Sequence, residues 1–466
     1  MADLHYLSIR ELASLLEAQE LSPVTATEAM LDRIDRLDPE LECYAEVLAD
    51  HALSAARSAE AEIAAGHYRG PLHGVPIAVK DLCDMAGFRT MAGSPVLADN
   101  VASSDSTVVR LLQEAGAVIV GKLNLTEGAM AGYHPDCGVP VNPWNPERWA
   151  GVSSSGSGAA TAAGLCFGSL GSDTGGSIRF PSAANGVVGL KPTYGRVSRA
   201  GVFPLAETFD HVGPLTRTTI DAAIMLQAIT GHDPADPTSL DAPGDDLVAT
   251  INDGVAGVRI GYDETWATHG VDEQTVAGVK RSLEALVEAG AEIVAIEMPR
   301  FDVRLWRTMV ACEAVDAHQT HYPERADDYG GFFSAFLARG TEITGAGYAA
   351  GQIERNRFNG QLRRVFQAVD VIASPVMETG AYPAPREALR GSFSQVAGIS
   401  PKPTLRYTAP YDCSGHPTIN LPTGFDIDGM PLAVQFAGRH LNEALLCRIG
   451  HTLESVTDWH RQHPIP

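Results

Sequence analysis

Between Val108 and Val120 the chain reads as a helix that turns into a strand. Val108, Leu111, Leu112 and Ala115 keep helical spacing, Gly116 interrupts it, and Ala117-Val118-Ile119-Val120 is a short apolar run suited to a buried strand. The same grammar returns at Val276, Val279, Leu283, Leu286, Gly290 and Ile293-Val294-Ala295-Ile296, with Glu-Ala-Gly-Ala at both turns. Two copies without a fixed period mark common α/β turn chemistry, not a solenoid. Ser8-x-x-Glu11 reads as a capping box, and Ser22-Pro23 sets a cap before a proline at the first helical position. Two helices are therefore expected to open the chain. Helices alternating with short apolar strands predict the α/β class: a large mixed β-sheet covered by helices on both faces.

Two stretches break this pattern. Residues 231–253, rich in Asp, Pro and Ser, are expected to form a surface excursion, and residues 382–403 a second irregular, proline-rich segment. Neither has the low complexity of a linker, so residues 1–466 are read as one continuous domain, with N-terminal helices over about residues 8–66. The amphipathic helices before Leu37 could pack on the chain's own core or on a second copy, which leaves a homo-oligomer open.

Composition narrows the function classes. With 45% hydrophobic residues in 466, the chain can build a sizeable core, which excludes a mainly disordered or collagen-like protein. The 34 Lys and Arg stand against 57 Asp and Glu, a net charge of −23. An acidic surface repels phosphates, so neither nucleic acid nor an anionic membrane is an expected partner. No apolar run approaches the roughly 18 residues that span a bilayer, and the first residues lack the apolar stretch of a secretory leader. The seven cysteines (Cys43, Cys83, Cys137, Cys166, Cys312, Cys413 and Cys447) are scattered without a Cys-x-x-Cys. Such spacing suits free thiols in a reducing compartment. A soluble cytoplasmic protein is the expectation.

The centre of the chain carries the candidate chemistry. Gly151-Val-Ser-Ser-Ser-Gly-Ser-Gly158 precedes an alanine-rich helical run, and Gly171-Ser-Asp-Thr-Gly-Gly-Ser-Ile-Arg-Phe-Pro181 follows it. Isolated Ser/Gly clusters are usually flexible loops, but these abut apolar segments that must pack. Glycines beside a serine let backbone N–H groups converge on one point, which is what an oxyanion needs when a hydroxyl attacks a carbonyl. The base is not an adjacent histidine, since neither loop holds one, and no Gly-x-Ser-x-Gly elbow occurs. Upstream, Lys80 ends the Val/Ile-rich run Gly74-Val-Pro-Ile-Ala-Val-Lys80-Asp81. Standing alone it would read as a snorkelling or ion-paired lysine. If its strand end is buried, desolvation favours the neutral amine, which can act as a base.

These segments, together with Gly189-Leu-Lys-Pro-Thr-Tyr-Gly-Arg-Val-Ser198, resemble the amidase signature family. The likeness extends to Asn142-Pro-Trp144, to Gly415–Gly424 and to Pro431–Gly438, and so covers nearly the whole chain; the signature core spans about residues 72–215. The resemblance implies the amidase signature fold and a Ser–cis-Ser–Lys triad, with no metal and no organic cofactor. Carried over by position, the nucleophile is Ser177, the base Lys80 and the bridging serine, held on a cis peptide bond, Ser153. Ser154 supports it; a one-residue slip within Ser153-Ser154-Ser155 would make Ser154 the bridge instead. Two positions depart from the family pattern, Val152 and Ser155 standing where it has glycine. The implied oxyanion donors are the N–H groups of Thr174, Gly175, Gly176 and Ser177. The implied activity is hydrolysis of the C–N bond of a small carboxamide, extending to aryl carbamates (urethanes) and esters, through an acyl-enzyme.

Asp173 and Arg179 match family positions; they either orient the nucleophile loop or leave Asp173 to cap the following turn. Gly128, Ala129, Met130 and Tyr133 correspond to the segment beside the acyl channel, where small residues leave an apolar pocket, although Met130 is equally suited to an ordinary core. Trp144 and Phe209 carry the same ambiguity. His318 and His321 are expected at the surface, Cys166 packed and inert, and Cys137 in a loop without a base. The family also holds the glutamine-hydrolysing component of tRNA-dependent amidotransferases. That component usually reads Asn-Met-Asp-Glu-Phe where this chain has Asn124-Leu-Thr-Glu-Gly128, while Gly345-Ala-Gly-Tyr348 is similar to its Ser-Ala-Gly-Tyr.

Overall fold

The computed structural model describes residues 4–243, 246–399 and 404–464. Ser8 caps the helix Ile9–Glu17 reciprocally: its hydroxyl accepts the Glu11 N–H at 3.1 Å, and the Glu11 carboxylate accepts the Ser8 N–H at 2.8 Å. Ser22 caps Pro23–Leu41 in turn. Ile9, Leu12, Ala13 and Leu16 are all buried, so the first amphipathic face is spent on the chain's own core. Between these helices and Ala49–Ala64 lies a short strand that the helical reading of residues 8–66 did not anticipate.

That strand, β1 (Tyr44–Val47), opens an eleven-stranded sheet with β2 (Pro76–Lys80), β3 (Val118–Leu123), β4 (Gly168–Asp173), β5 (Val188–Lys191) and β6 (His211–Thr216). The others are β7 (Arg259–Tyr262), β8 (Glu292–Ala295), β9 (Val371–Pro375), β10 (Thr418–Phe425) and β11 (Pro431–Gly438). Their order is β1-β3-β2-β4-β6-β5-β10-β11-β9-β7-β8. Pairing is mixed, as expected: β3, β2 and β4 run parallel, as do β9, β7 and β8, while the antiparallel strands β6, β5, β10 and β11 lie between. Strands β2, β3 and β4 are buried at every position, which requires cover on both faces and explains why small and apolar residues predominate in them.

The two helix-to-strand stretches fare differently. Thr107–Glu114 turns through Gly116 into the buried β3. Glu273–Glu288 leads instead to β8, an edge strand with Ile293 41% exposed, because nothing pairs beyond it. Among the described residues of 231–253 there is no helix or strand. The second irregular segment, by contrast, contains two short helices, Arg386–Leu389 and Phe393–Gly398; Ser392 and Gln395 form a capping box for the latter. Residues 400–403 of that segment lie outside the described residues.

His318 is a correction. It is fully buried, ringed by Phe203, Tyr329 and Phe333, with Nδ1 3.0 Å from the Tyr329 hydroxyl. Burial pulls its imidazole down to about 4. Helical spacing from Trp306, Met309, Val310 and Ala314 turns it inward. No helix among the described residues is long and apolar enough to cross a membrane.

Candidate active site

Parallel pairing of β2 with β4, Ala78 beside Ser169 and Val79 beside Leu170, carries Lys80 and Ser172 to the same end of the sheet. Sites in open α/β sheets form at these carboxyl ends of strands. Lys80 is 1% exposed, and its Nζ lies 2.5 Å from Ser153 Oγ, 2.9 Å from Ser172 Oγ and 3.0 Å from Ser154 Oγ. Among the described residues it meets three hydroxyls and no carboxylate. Lys122, equally buried, is matched instead by Asp81 at 2.8 Å. Burial pulls the Lys80 ammonium down to about 7, against the opposing pull of Cys83, Asp173 and Asp210, so near neutral pH much of it is uncharged amine.

The serine row divides by its hydrogen bonds. Ser154 Oγ accepts the Ser172 N–H at 3.2 Å and donates to the Ser172 carbonyl at 3.1 Å, which ties it to β4. The Ser153 hydroxyl has Lys80 as its partner and keeps its proton free for transfer. Ser155, where the family has glycine, meets the Tyr133 hydroxyl at 2.7 Å. The expected cis peptide is absent from this run: the cis bond among the described residues is Tyr322–Pro323. The sharp turn is made by positive φ, +100° at Gly151 and +32° at Ser153. A non-glycine residue there costs about 1–3 kcal/mol, a strain that concentrates at functional sites.

The nucleophile loop is held from all sides. Asp173 accepts the N–H of Gly176 at 2.5 Å and of Ile178 at 2.9 Å, one on each side of Ser177. Both readings of Asp173 therefore hold at once, since it caps the turn and also binds Arg179 at 2.9 and 3.0 Å. Trp306 Nε1 donates to the Thr174 carbonyl at 2.7 Å, Thr408 Oγ1 to the Gly175 carbonyl at 2.5 Å, and Thr174 Oγ1 to Asp210 at 2.5 Å. A Cβ on Gly175 would lie 2.5 Å from the Trp306 ring, and one on Gly176, at φ +136°, 2.4 Å from the Phe180 ring. The double glycine is thus a close-packed necessity, and the loop is the opposite of a flexible linker. Because its N–H is committed to Asp173, Gly176 departs from the expected set of oxyanion donors. The N–H groups of Thr174, Gly175 and Ser177 meet no acceptor among the described residues.

Arg179 is fully buried and spans Asp173 and Asp412, the latter at 2.6 Å, with further bonds to the Thr408 carbonyl and Gln435. Burial pushes the Asp173 carboxyl up, but Arg179, Lys191 and the loop N–H groups outweigh it and hold it well below the usual carboxylate range. Burial drives Asp412 well above that range despite Arg179. Arg179→Met should lower unfolding stability by about 3–5 kcal/mol, because Asp173 and Asp412 would face each other unpaired. The urea midpoint measures this; a shift below about 1 kcal/mol would rule out a structural role for the pair.

Ser177 faces a cavity of about 620 Å³, 6% exposed, and its hydroxyl has no hydrogen-bond partner among the described residues. Ala129, Met130 and Tyr133 line this cavity as expected, but Gly128 does not. A Cβ there would fall 2.2 Å from the Phe333 ring, so its open side is filled by packing and turned from the cavity. The remaining walls were not legible from motifs: Trp149, Phe180, Trp306, Phe332, Phe336 and Tyr382 supply most of the aromatic surface. Leu389, Val396 and Ile399, from the segment expected to be irregular, close one side. Trp144 and Phe209 lie elsewhere, Trp144 bonded to the Asn185 carbonyl and Phe209 under Arg355. Cys166 is buried and Cys137 half-buried, and burial pushes their thiols up to about 11 and about 12. Neither is primed as a thiolate.

A buried amine among hydroxyls, a serine open to an apolar cavity and unpaired N–H groups beside it can together carry out acyl transfer. The class is an α/β hydrolase. The chain belongs to the amidase family, whose profile matches residues 25–447, and it is accordingly an amidase-type hydrolase acting on C–N bonds. It is 46% identical to the "Putative amidase AmiD" of Mycobacterium tuberculosis over 465 residues, covering 98% of this chain and 96% of that one. Among solved structures it resembles the native peptide amidase of Stenotrophomonas maltophilia, with 31% identity, 98% of each chain covered and a TM-score of 0.85. A glutamyl-tRNA(Gln) amidotransferase component from Thermosynechococcus vestitus is also similar, 36% identical with 98% of this chain and 99% of that one covered.

Proposed function

We propose that the chain is a stand-alone hydrolase of small aryl amides, extending to aryl carbamates and esters, with Ser177 as nucleophile. Neutral Lys80 takes a proton from Ser153 as Ser153 takes one from Ser177. Ser177 Oγ attacks the carbonyl carbon, and the N–H groups of Thr174, Gly175 and Ser177 receive the oxyanion. As the C–N bond breaks, Ser153 returns a proton to the leaving nitrogen. Water then cleaves the acyl-enzyme by the same relay in reverse roles, regenerating Ser177.

The observation that carries this reading is the Lys80 environment: three hydroxyls, no carboxylate and an amine drawn to about 7 beside the serine-bearing loop. Ser153 is favoured over Ser154 as relay because the Ser154 proton is committed to the Ser172 carbonyl. The aromatic cavity supports ring-bearing substrates, since ring burial positions the carbonyl for attack. The amidotransferase-like reading is less well supported. Glutamine carries an α-ammonium, and no Asp or Glu is among the described residues that line the cavity. A reducing, cytoplasmic setting accords with the seven free cysteines.

A panel of acetamide, glutamine, an anilide, an aryl ester and an aryl carbamate tests the reading. The anilide and carbamate should exceed acetamide by at least about tenfold in kcat/KM, the scale of one well-buried apolar group. A preference for glutamine, or glutaminase activity that needs a second protein, would overturn it.

A further inference from the structure

Among the described residues, the charged members of the cavity lining are Arg307 and Arg339, and both are exposed. Arg307 stands between Trp306 and Thr308 on the helix Val303–Ala317, and all three consecutive residues border the cavity. Its neighbour Trp306 lies against the oxyanion loop through the bond to the Thr174 carbonyl. One turn earlier, Arg304 is spent on Asp302 at 2.6 Å. Arg307 has no such acid: it meets no carboxylate among the described residues.

Two facts about charge bear on this. The chain as a whole carries −23, so most of its surface repels anions, yet the apolar cavity in front of Ser177 is bordered, among the described residues, by guanidinium and by no carboxylate. At physiological ionic strength the surface field fades over roughly 8 Å, so a cationic mouth governs what enters regardless of the distant acidic surface. A guanidinium presents a planar fork that matches a carboxylate, and an apolar cavity behind it admits the uncharged body of the same molecule.

We infer that the substrate of this site is an amide or carbamate with a carboxylate at the end remote from the scissile bond, and that Arg307 receives that carboxylate. The inference rests on the hydrolase reading above. Arg307 sets specificity from the rim and takes no part in bond breaking. Its contribution is made equally in the ground state and the transition state, so it acts on KM and leaves kcat unchanged.

The test uses three 4-nitroanilides with acyl chains of equal length, ended by a carboxylate, a methyl group or an ammonium. The wild-type enzyme should favour the carboxylate chain over the methyl chain by about fivefold in kcat/KM, the upper range for a rim ion pair. The ammonium chain should be the poorest, and the preference should shrink as salt is raised. Arg307→Met should abolish the carboxylate preference through KM while keeping the methyl chain within about twofold of wild type. Arg307→Glu should reverse the order in favour of ammonium. Equal kcat/KM for the three chains in the wild type, or a carboxylate preference that survives Arg307→Met, would overturn the inference while leaving the hydrolase reading intact. Failure of the wild type to cleave even the methyl chain would overturn the hydrolase reading and this inference with it.

Discussion

Ser177→Ala should reduce kcat/KM on an anilide by at least about 10⁴-fold, leaving only the oxyanion donors and substrate binding to act. The loss should fall on kcat. The hydroxyl makes no hydrogen bond among the described residues, so its removal leaves Asp173, Trp306 and Thr408 holding the loop, and the variant should melt with wild type. A fluorophosphonate or sulfonyl fluoride should modify Ser177 and nothing else, as read by mass spectrometry. Modification at Ser154 or at a cysteine would displace Ser177 from the nucleophile's place. The thiols are poor competitors, because burial pushes even the half-buried Cys137 up to about 12.

Lys80→Met is expected to cost a comparable several orders of magnitude while the protein stays folded. In the wild type the base must be uncharged, so activity should rise with pH through an apparent pKa near 7, where burial has placed the amine. Stability carries the same signature. The folded-state value lies below that of free lysine, so between about pH 7 and 10 the unfolded chain binds the extra proton and wild-type stability increases with pH. Methionine, close to lysine in volume, removes the cost of burying an amine that water would protonate. The variant should therefore melt above wild type at about pH 7, with the margin shrinking toward about pH 10. A variant that keeps near-wild-type activity, or a flat pH–rate profile between about 6 and 9, would remove the lysine from the mechanism.

What was legible in the sequence follows from local physics. Capping chemistry is decided within four residues, and so Ser8 and Ser22 marked the first two helices correctly. Apolar runs at Ile77 and Val118 marked strands buried on both faces, because only such strands need no polar alternation. The order of Lys80, the serine row and Gly175-Gly176-Ser177 pointed to acyl-transfer chemistry because hydroxyl, amine and converging N–H groups are recognisable by type.

Other features depended on which strands became neighbours. Ile293-Val294-Ala295-Ile296 matches Ala117-Val118-Ile119-Val120 in grammar, yet one run is edge and the other interior, since sheet order is settled by long-range pairing. Ser172 became a partner of Lys80 through the β2–β4 register. The turn at Ser153 was settled by positive φ in place of a cis bond, and Gly128 by the Phe333 ring of a distant helix.

The sequence by itself determined the class of fold, the first helix starts and the candidates for the reacting groups, all of which depend on residue type and near spacing. Only the tertiary structure decided which N–H groups stay free for an oxyanion, which serine keeps its proton and which side chains wall the cavity. Those properties arise where residues such as Gly176 and Asp173, Ser154 and Ser172, or Trp306 and Thr174 compete for the same donors and the same space. That competition exists only once segments up to 132 residues apart have been packed together.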